Sequence, residues 1–194
     1  MSSAASLGGD EHQSPDAREE RLRLFLALQL PETTLDVLEE WRDAQLARGR
    51  VLEREQLHVT LAFLGHRPAV ELPAIVRALR DAVGGAGPLA FEPAGWRETR
   101  SVGMIVLRDL AGEADALARR LHGCLSELGV YRPEARPWLP HVTMLRFRTR
   151  PRLAPTLPET GTFVPSGAAA YLSRLHPSGA RYEVLEVVSL NAGG

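Results

Sequence analysis

Polar and apolar residues alternate in two short stretches of the chain, residues 58–60 and 141–143, and both stretches read His-Val-Thr. Alternation with a period of two is typical of a strand that has one buried face and one open face. The residues predicted to point into a core are Val59, Leu61, Val142 and Met144. The histidine and threonine of each copy then share the opposite face, about 7 Å apart along the backbone.

Apolar runs predict further strands at residues 22–30, 89–92 and 102–107, and a final hairpin that joins 163–175 to 181–190 around Pro177 and Gly179. Gly65 is expected to end the first motif strand. A loop containing Gly95, Trp96 and Arg100 is expected between the second and third of these strands.

Apolar residues at helical spacing predict three helices. The first carries Leu35, Leu38, Trp41 and Leu46 on one face, with Thr33 and Thr34 as candidate N-caps and Gly49 as its end. The second and third are expected at about 73–83 and 113–128. Residues 131–140 and 150–158 are expected to be irregular because they are rich in proline. Residues 1–21 and 191–194 are predicted tails, the first of them disordered, on either side of one domain at 22–190.

The order strand, helix, motif strand occurs twice. Equivalent landmarks lie 79, 82 and 83 residues apart, namely Leu24 and Gly103, Leu35 and Leu117, and His58 and His141. Near-constant spacing indicates two lobes related by an approximate twofold axis. The motif strands would then meet at a central cleft, which is where ligands usually bind.

Composition restricts the possible chemistry. All 23 basic residues are arginine, which excludes a nucleotidyl-lysine intermediate, a P-loop lysine and a lysine Schiff base. The single cysteine, Cys124, excludes an intramolecular disulfide and a cysteine-rich zinc cluster. We find no signal peptide and no apolar run long enough to span a membrane, so we expect a soluble, cytoplasmic protein.

Charge is unevenly distributed although the net charge is only −1. Residues 131–152 contain six arginines and one glutamate, so positive charge is concentrated around the second motif. Two aromatic residues have alternative interpretations. Phe25 either stacks on a nucleobase or belongs to the core, and Trp138 either lines the cleft or packs beneath it.

An imidazole and a hydroxyl side by side suit a phosphate oxygen, because threonine donates a hydrogen bond and histidine donates a bond or a proton. Two such pairs would hold a phosphoryl group from both sides. With an ordinary histidine pKa of about 6.5, one ring can be protonated near neutral pH while the other is not. General acid–base catalysis at a bound phosphate uses both forms, a base that activates water and an acid that protonates a leaving oxygen.

The paired motifs, the start Arg23-Leu24-Phe25-Leu26-Ala27-Leu28, Arg146 after the second histidine, and the segments 173–175 and 179–182 resemble the two-histidine phosphoesterases. Within them the chain is most similar to the RNA 2′,3′-cyclic phosphodiesterases, also called 2′-5′ RNA ligases. The resemblance implies a bilobal α+β fold in which two pseudo-symmetric lobes of antiparallel sheet, with outer helices, surround a central cleft.

The resemblance also implies hydrolysis of an RNA-terminal 2′,3′-cyclic phosphate to a 2′-phosphate, with no metal and no cofactor. Following the family, His58 is assigned as proton donor and His141 as proton acceptor, and these roles exchange in the reverse, ATP-independent ligation. Thr60 and Thr143 would bind the phosphate oxygens, together with Arg146. Expected partners are RNA ends or small cyclic nucleotides, and we expect a monomer without a membrane or an obligate protein partner.

Arg146 presents a specific difficulty, since strict alternation from His141 places it on the face opposite the histidines. It reaches a phosphate only if the strand bulges or ends near Leu145. Arg148, Arg150 and Arg152 are interpreted as a solvated edge or an edge that faces an RNA backbone. The histidines outside the motifs are interpreted as structural or exposed.

Three functions remain open from the residues. The first is a phosphodiesterase that acts on RNA ends, or instead on another cyclic or 2′-5′-linked nucleotide. The second is an RNA-binding module without turnover, which retention of both histidines and both threonines disfavours. The third is a metal-dependent hydrolase, for which the motifs lack the carboxylate and cysteine ligands that such sites normally recruit.

Overall fold

The computed structural model describes residues 20–46, 49–177 and 179–190. The strands are β1 (Arg21–Gln29), β2 (Arg50–Val51), β3 (His58–Pro68), β4 (Phe91–Glu98), β5 (Val102–Asp109), β6 (His141–Arg146), β7 (Gly167–His176) and β8 (Gly179–Val188). The α-helices are α1 (Glu32–Gln45), α2 (Leu72–Gly84) and α3 (Glu113–Glu127). Short 3₁₀ turns cover Arg54–Gln56 and Ala69–Glu71.

One antiparallel sheet contains all eight strands in the order β4-β5-β6-β3-β1-β7-β8, with the short β2 paired to β6. The predicted α+β architecture of antiparallel sheet and outer helices is confirmed. The order also reflects the predicted duplication, because β1-α1-β3 and β5-α3-β6 occupy equivalent places on either side of the centre. The two motif strands, β3 and β6, are the strands that join the halves.

The helices contribute to one large core on one face of the sheet. Leu35 and Leu38 of α1, Ile75 and Leu79 of α2, and Leu117 of α3 are all at most 8% exposed within it. The inward residues of the motif strands belong to the same core, as predicted. Burial of this apolar surface stabilises the fold and fixes which side chains of β3 and β6 face the other way.

Several predicted boundaries are wrong. Thr33 and Thr34 are not caps, because α1 begins at Glu32 after Pro31 and has no side-chain cap hydrogen bond. Helix α1 ends at Gln45, before Gly49, and Leu46 is its C-cap. Pro31 is itself the N-cap residue, with the extended backbone that is typical of this position.

Gly65 does not end β3. It lies inside the strand with φ +69°, next to a shift in register against β1, so it accommodates a bulge and the strand continues to Pro68. Gly95 and Trp96 belong to β4 and not to the following loop, which is limited to residues 99–101. Here again the chain continues through a bulge, between Pro93 and Gly95.

The C-terminal hairpin is confirmed, with His176 opposite Gly179. Its first strand begins at Gly167, whereas Phe163 makes only an isolated bridge to Phe91. The predicted tail at 1–21 and the tail at 191–194 lie outside the described residues, except that Glu20 is described and Arg21 begins β1.

Candidate active site

The two motifs meet at the centre of the sheet. Val59 of β3 is opposite Val142 of β6, and both are at most 1% exposed on the helix side. In an antiparallel pair with this register, His58 takes the position facing Thr143, and Thr60 takes the position facing His141. These four half-buried side chains therefore share the face opposite the helices, as the alternation predicted.

Each histidine is oriented by the segment that precedes its strand. Nδ1 of His141 lies 2.8 Å from the backbone oxygen of Leu139, and the His58 ring makes a hydrogen bond to the backbone of Gln56. Both partners precede their histidine by two residues, so the two motifs repeat the same local arrangement. Because a carbonyl only accepts, Nδ1 of His141 carries the proton in the neutral ring and Nε2 has the free lone pair.

Within the first motif, Nε2 of His58 lies 3.1 Å from Oγ1 of Thr60. A phosphate oxygen placed beside these two atoms could lie within hydrogen-bond distance of both. The pair is thus arranged to bind an oxyanion, with one group that can also transfer a proton.

Three aromatic rings surround the His58 imidazole. The centroid distances to Phe25, Tyr182 and Tyr171 are 4.9, 5.5 and 6.0 Å. Phe25 is itself only 3% exposed, stacked on Tyr171 and approached edge-on by Tyr182. The structure therefore places Phe25 under the histidine, in a small aromatic cluster separate from the main core.

Burial in these surroundings lowers the pKa of His58 to about 4. The hydrogen bond to Gln56 favours the charged ring, while Coulombic repulsion from His141 and Arg146 disfavours it. In the protein without a bound anion, His58 is consequently neutral near pH 7. That protonation state suits a base, whereas a proton donor must first be charged.

Arg146 lies on the same face as the histidines because β6 bulges. Met104 is opposite Thr143 and Gly103 is opposite Leu145, so Met144 is the extra residue. Met144 and Leu145 are both fully buried, and Arg146 that follows them is exposed. The bulge thus reverses the alternation, which was the condition under which Arg146 could reach a phosphate.

Two side chains hold the backbone of the first motif strand. Nε1 of Trp138 donates to the oxygen of Thr60 at 2.9 Å, and Nε2 of His122 lies 2.8 Å from the oxygen of Leu61. Leu61 is the extra residue of a second bulge, since Ala27 is opposite Thr60 and Leu26 is opposite Ala62. Trp138 is therefore half-buried against the main core, and its indole contacts the backbone that carries Thr60.

The β7–β8 hairpin packs beside the segment that leads into the first motif. Nε2 of Gln56 donates to the oxygen of Ala180 at 2.6 Å, and the guanidinium of Arg50 lies so close to Gly179 that an added Cβ would overlap it. A cavity of about 620 Å³ lies between the hairpin and residues 49–56, next to Tyr182. Gln56, whose backbone binds the His58 ring, is one of the residues that line this cavity. The cavity is large enough for a nucleoside.

The four motif residues are predictable from the repeated pattern, but Tyr171, Tyr182 and the carbonyl contact of His122 are not. Tyr171 is on the site face because it is opposite Phe25 in the β1–β7 pair, and that register is not encoded in a local pattern. Tyr182 lies within one of the segments that carried the family resemblance, which was the available signal for it.

Within the described ranges, no group of three or more histidine, cysteine, aspartate or glutamate side chains is arranged to hold a metal ion. The helices in the same ranges are all too short or too polar to cross a membrane.

Known proteins resemble this chain in sequence. The sequence profile of the 2′-5′ RNA ligase superfamily matches residues 30–176. A protein of Thermus thermophilus named RNA 2′,3′-cyclic phosphodiesterase is 33% identical over 187 residues, covering 87% of this chain and 90% of that protein. A protein of Escherichia coli with the same name is 31% identical over 143 residues, covering 72% of this chain and 78% of that protein.

Solved structures agree in fold. A crystal structure from Thermus thermophilus has a TM-score of 0.74 and 30% identity, covering 87% of this chain and 98% of that chain. The crystal structure of Escherichia coli LigT complexed with 3′-AMP has a TM-score of 0.72 and 24% identity, with coverages of 89% and 100%. By profile, sequence and fold together, this chain belongs to the 2′-5′ RNA ligase superfamily.

Proposed function

We propose that this enzyme is an RNA 2′,3′-cyclic phosphodiesterase that opens the cyclic phosphate to a 2′-phosphate without a metal ion. The observation that carries the proposal is the meeting of two His-x-Thr pairs on one face at the centre of the sheet. The names of the relatives in Thermus thermophilus and Escherichia coli support the same reaction.

In this reaction, His141 accepts a proton from water, and the water oxygen forms a bond to phosphorus. The bond between phosphorus and the 3′-oxygen breaks, and His58 gives that oxygen a proton. The orientation of His141 supports its role, because the bond of Nδ1 to Leu139 leaves Nε2 as the acceptor. Positioned acid and base groups typically each accelerate such steps about 10²- to 10⁴-fold.

The donor role of His58 requires that substrate binding raise its pKa from about 4. Reaching about 7 requires about 4 kcal/mol of preferential stabilisation of the charged ring. One negative charge at about 4 Å provides about 4 kcal/mol at an effective dielectric constant of 20. The cyclic phosphate carries that charge, so its binding can raise the pKa of His58 enough for the ring to take up a proton from solvent.

Thr60, Thr143 and Arg146 would hold the non-bridging oxygens. The 3.1 Å contact between Thr60 and His58 places a hydroxyl beside the proposed donor, and the bulge at Met144 brings Arg146 to the same face. A guanidinium in this position stabilises charge that grows in the transition state.

Ligation uses the same groups in the same roles, not in exchanged ones, because His141 accepts the proton of the attacking hydroxyl and His58 protonates the leaving 3′-oxygen. The roles exchange only when the 2′-5′ linkage is cleaved back to the cyclic phosphate. A 5′-hydroxyl that attacks the cyclic phosphate in place of water would yield a 2′-5′ linkage without ATP. The proposed site contains what this step needs, one acid and one base, and the chain has no lysine for an adenylylated intermediate.

Incubation of the purified protein in EDTA with an oligoribonucleotide that ends in a 2′,3′-cyclic phosphate tests the proposal. The expected product is a terminal 2′-phosphate, identified by its resistance to a 3′-phosphatase and by mass. A 3′-phosphate product, or activity that EDTA abolishes, would contradict it. Turnover only of ADP-ribose 1″,2″-cyclic phosphate or of 2′-5′ oligoadenylate would assign the site to another nucleotide.

A further inference from the structure

One end of the sheet combines two arginine-rich segments that are distant in sequence. Val102 at the start of β5 is opposite Arg146 at the end of β6. Just beyond, the backbone nitrogen of Phe147 donates to the oxygen of Ser101 at 3.0 Å. The turn at 99–101 and the loop at 147–153 are therefore neighbours, and the end of β4 lies beside them.

This end of the molecule is strongly positive. Residues 97–102 and 146–153 contain one carboxylate, Glu98. Their arginines are all exposed. We call them together the arginine surface: Arg97, Arg100, Arg146, Arg148, Arg150 and Arg152. Among the described residues, only Arg150 has a carboxylate partner, because its Nε lies 3.0 Å from Glu98. The other five guanidiniums are available to an external anion.

The loop that carries Arg150 and Arg152 is held in place. The Glu98 side chain is 2% exposed and accepts hydrogen bonds from the backbone N–H groups of Arg152 and Leu153 at 3.0 and 2.7 Å. Arg152 adopts φ +57°, a conformation that costs a non-glycine residue about 1–2 kcal/mol. A cavity of about 680 Å³ lies between this loop and the end of β4. Because the loop is fixed, its arginines are interpreted as an edge that faces an RNA backbone and not as a solvated edge.

The arginine surface meets the active site through Arg97 and Arg146. Arg150 and Arg152 are held at the strand ends by Glu98, whose side chain alternates with that of Arg97 and therefore belongs to the opposite face. Arg97, Met104 and Thr143 are opposite one another on three neighbouring strands and so share one face. Arg146 lies three residues beyond Thr143, about 10 Å along the backbone. By contrast, the cavity at the hairpin is lined by Arg50 and Arg181 but also by Glu53 and Glu55, so its charges balance.

We propose that the arginine surface binds the phosphodiester backbone of a single-stranded RNA on the 5′ side of its cyclic phosphate. The strand then leaves the active site over the ends of β4, β5 and β6, and not along the β7–β8 hairpin. This inference rests on the proposed function, since it assigns a route to the strand whose end is hydrolysed at His58 and His141.

The test compares two substrates, a 12-nucleotide oligouridylate with a 2′,3′-cyclic phosphate end and uridine 2′,3′-cyclic phosphate. The variant is R148Q/R152Q, and the matched control is R77Q/R119Q, which removes two exposed arginines from α2 and α3. Values of kcat/KM are measured between 50 and 300 mM NaCl, concentrations chosen to span about a factor of six in salt. Thermal melting checks that both proteins are folded.

We expect R148Q/R152Q to lower kcat/KM at low salt about tenfold more on the oligonucleotide than on the mononucleotide. The reason is that the variant contacts fewer phosphates, so its binding releases fewer counterions from the RNA. The salt dependence on the oligonucleotide becomes shallower, by about 1.4 in the log–log slope for two phosphate contacts. The control leaves both quantities as in the wild type. Unchanged kcat/KM and slope on the oligonucleotide, or equal losses on both substrates, would overturn the inference.

A binding measurement distinguishes failure of this inference from failure of the proposed function. Fluorescence anisotropy with a labelled oligouridylate that ends in a 2′-phosphate needs no turnover. If the wild type hydrolyses neither substrate, the proposed function fails. Even then, a salt-sensitive affinity that R148Q/R152Q weakens and R77Q/R119Q preserves supports the arginine surface as the route of the strand. Equal affinity of the two variants contradicts it.

Discussion

At the scale of single residues, His58 differs from His141 in its surroundings although the motifs are identical. Phe25, Tyr171 and Tyr182 enclose the His58 ring, and burial lowers its pKa to about 4. The two halves of the sheet therefore contribute chemically different histidines to the candidate site. This asymmetry is what an acid and base pair requires, provided that a bound anion can reverse the charge state of His58.

The pKa of His58 should respond to ligand. We expect NMR titration to give a value near 4 in the free protein, and a rise of about two or more pH units with a bound 2′-nucleotide, because one nearby negative charge provides enough energy. The H58Q variant assigns the resonance. A pKa that stays near 4 in the complex would reverse the roles and make His58 the base.

The same pKa affects stability. Since His58 has a lower pKa in the folded than in the unfolded protein, the unfolded chain binds more protons between about pH 6.5 and 4. The free energy of unfolding should therefore fall as pH drops through this window. Urea unfolding of the wild type and of H58Q across it should show a smaller decrease for H58Q. An identical decrease would mean that His58 titrates normally.

At the scale of elements, bulges decide which side chains lie on the face of the candidate site. The bulge at Met144 brings Arg146 to the site face, and the bulge at Leu61 exposes a carbonyl that His122 binds. Trp138 binds the neighbouring carbonyl of Thr60. The position of the first motif thus depends on contacts from α3 and from the segment before β6.

Removal of the indole N–H in W138F should lower kcat about three- to tenfold, because the backbone that positions Thr60 loses a fixed contact. The expected loss of stability is about 1 kcal/mol. The matched control is W41F, which loses the indole bond to Thr156, 2.6 Å long, away from the motifs. Equal kcat values for the two variants would show that the Trp138 contact is only structural.

Glu98 anchors the loop at 150–153. Although its burial favours the neutral acid, hydrogen bonds from Leu153, Arg150 and Arg152 lower its pKa. Its stabilising effect is thus present above the unfolded pKa of about 4.3 and is lost as pH falls through the lower folded value. E98Q should cost about 1–3 kcal/mol at pH 7, measured by urea unfolding.

The exposed ion pair of Glu92 with Arg108 gives the control for this measurement. E92Q should change stability by less than about 0.5 kcal/mol, because surface pairs contribute little. The difference in the free energy of unfolding between E98Q and the wild type should shrink below about pH 4. A difference that persists there would show that the charge of Glu98 is not responsible.

At the scale of the whole molecule, local patterns predicted the elements and the centre of the fold. The alternation around Val59 and Val142 identified the buried face, and therefore the face of both histidines, because the period of a strand is set by its geometry. Helices α2 and α3 followed from their apolar stripes. The duplicated order of elements predicted that the motif strands would meet.

Other features could not be derived from local patterns. The position of Arg146 depends on a bulge, and the surroundings of His58 depend on the register of β7 and β8 against β1. The joining of Arg97 and Arg100 to the loop at 147–153 depends on which strands are neighbours. All of these are contacts between residues far apart in sequence, and pairing register decides them.

The most direct test of the account is the single-turnover rate of cyclic-phosphate opening by folded H58A, H141A and the double variant, in EDTA. Each single variant should lose about 10²-fold or more, and the double variant should lose much less than the product of the two, because acid and base act as one unit. Turnover near the wild-type rate by either folded single variant would contradict the two-histidine mechanism.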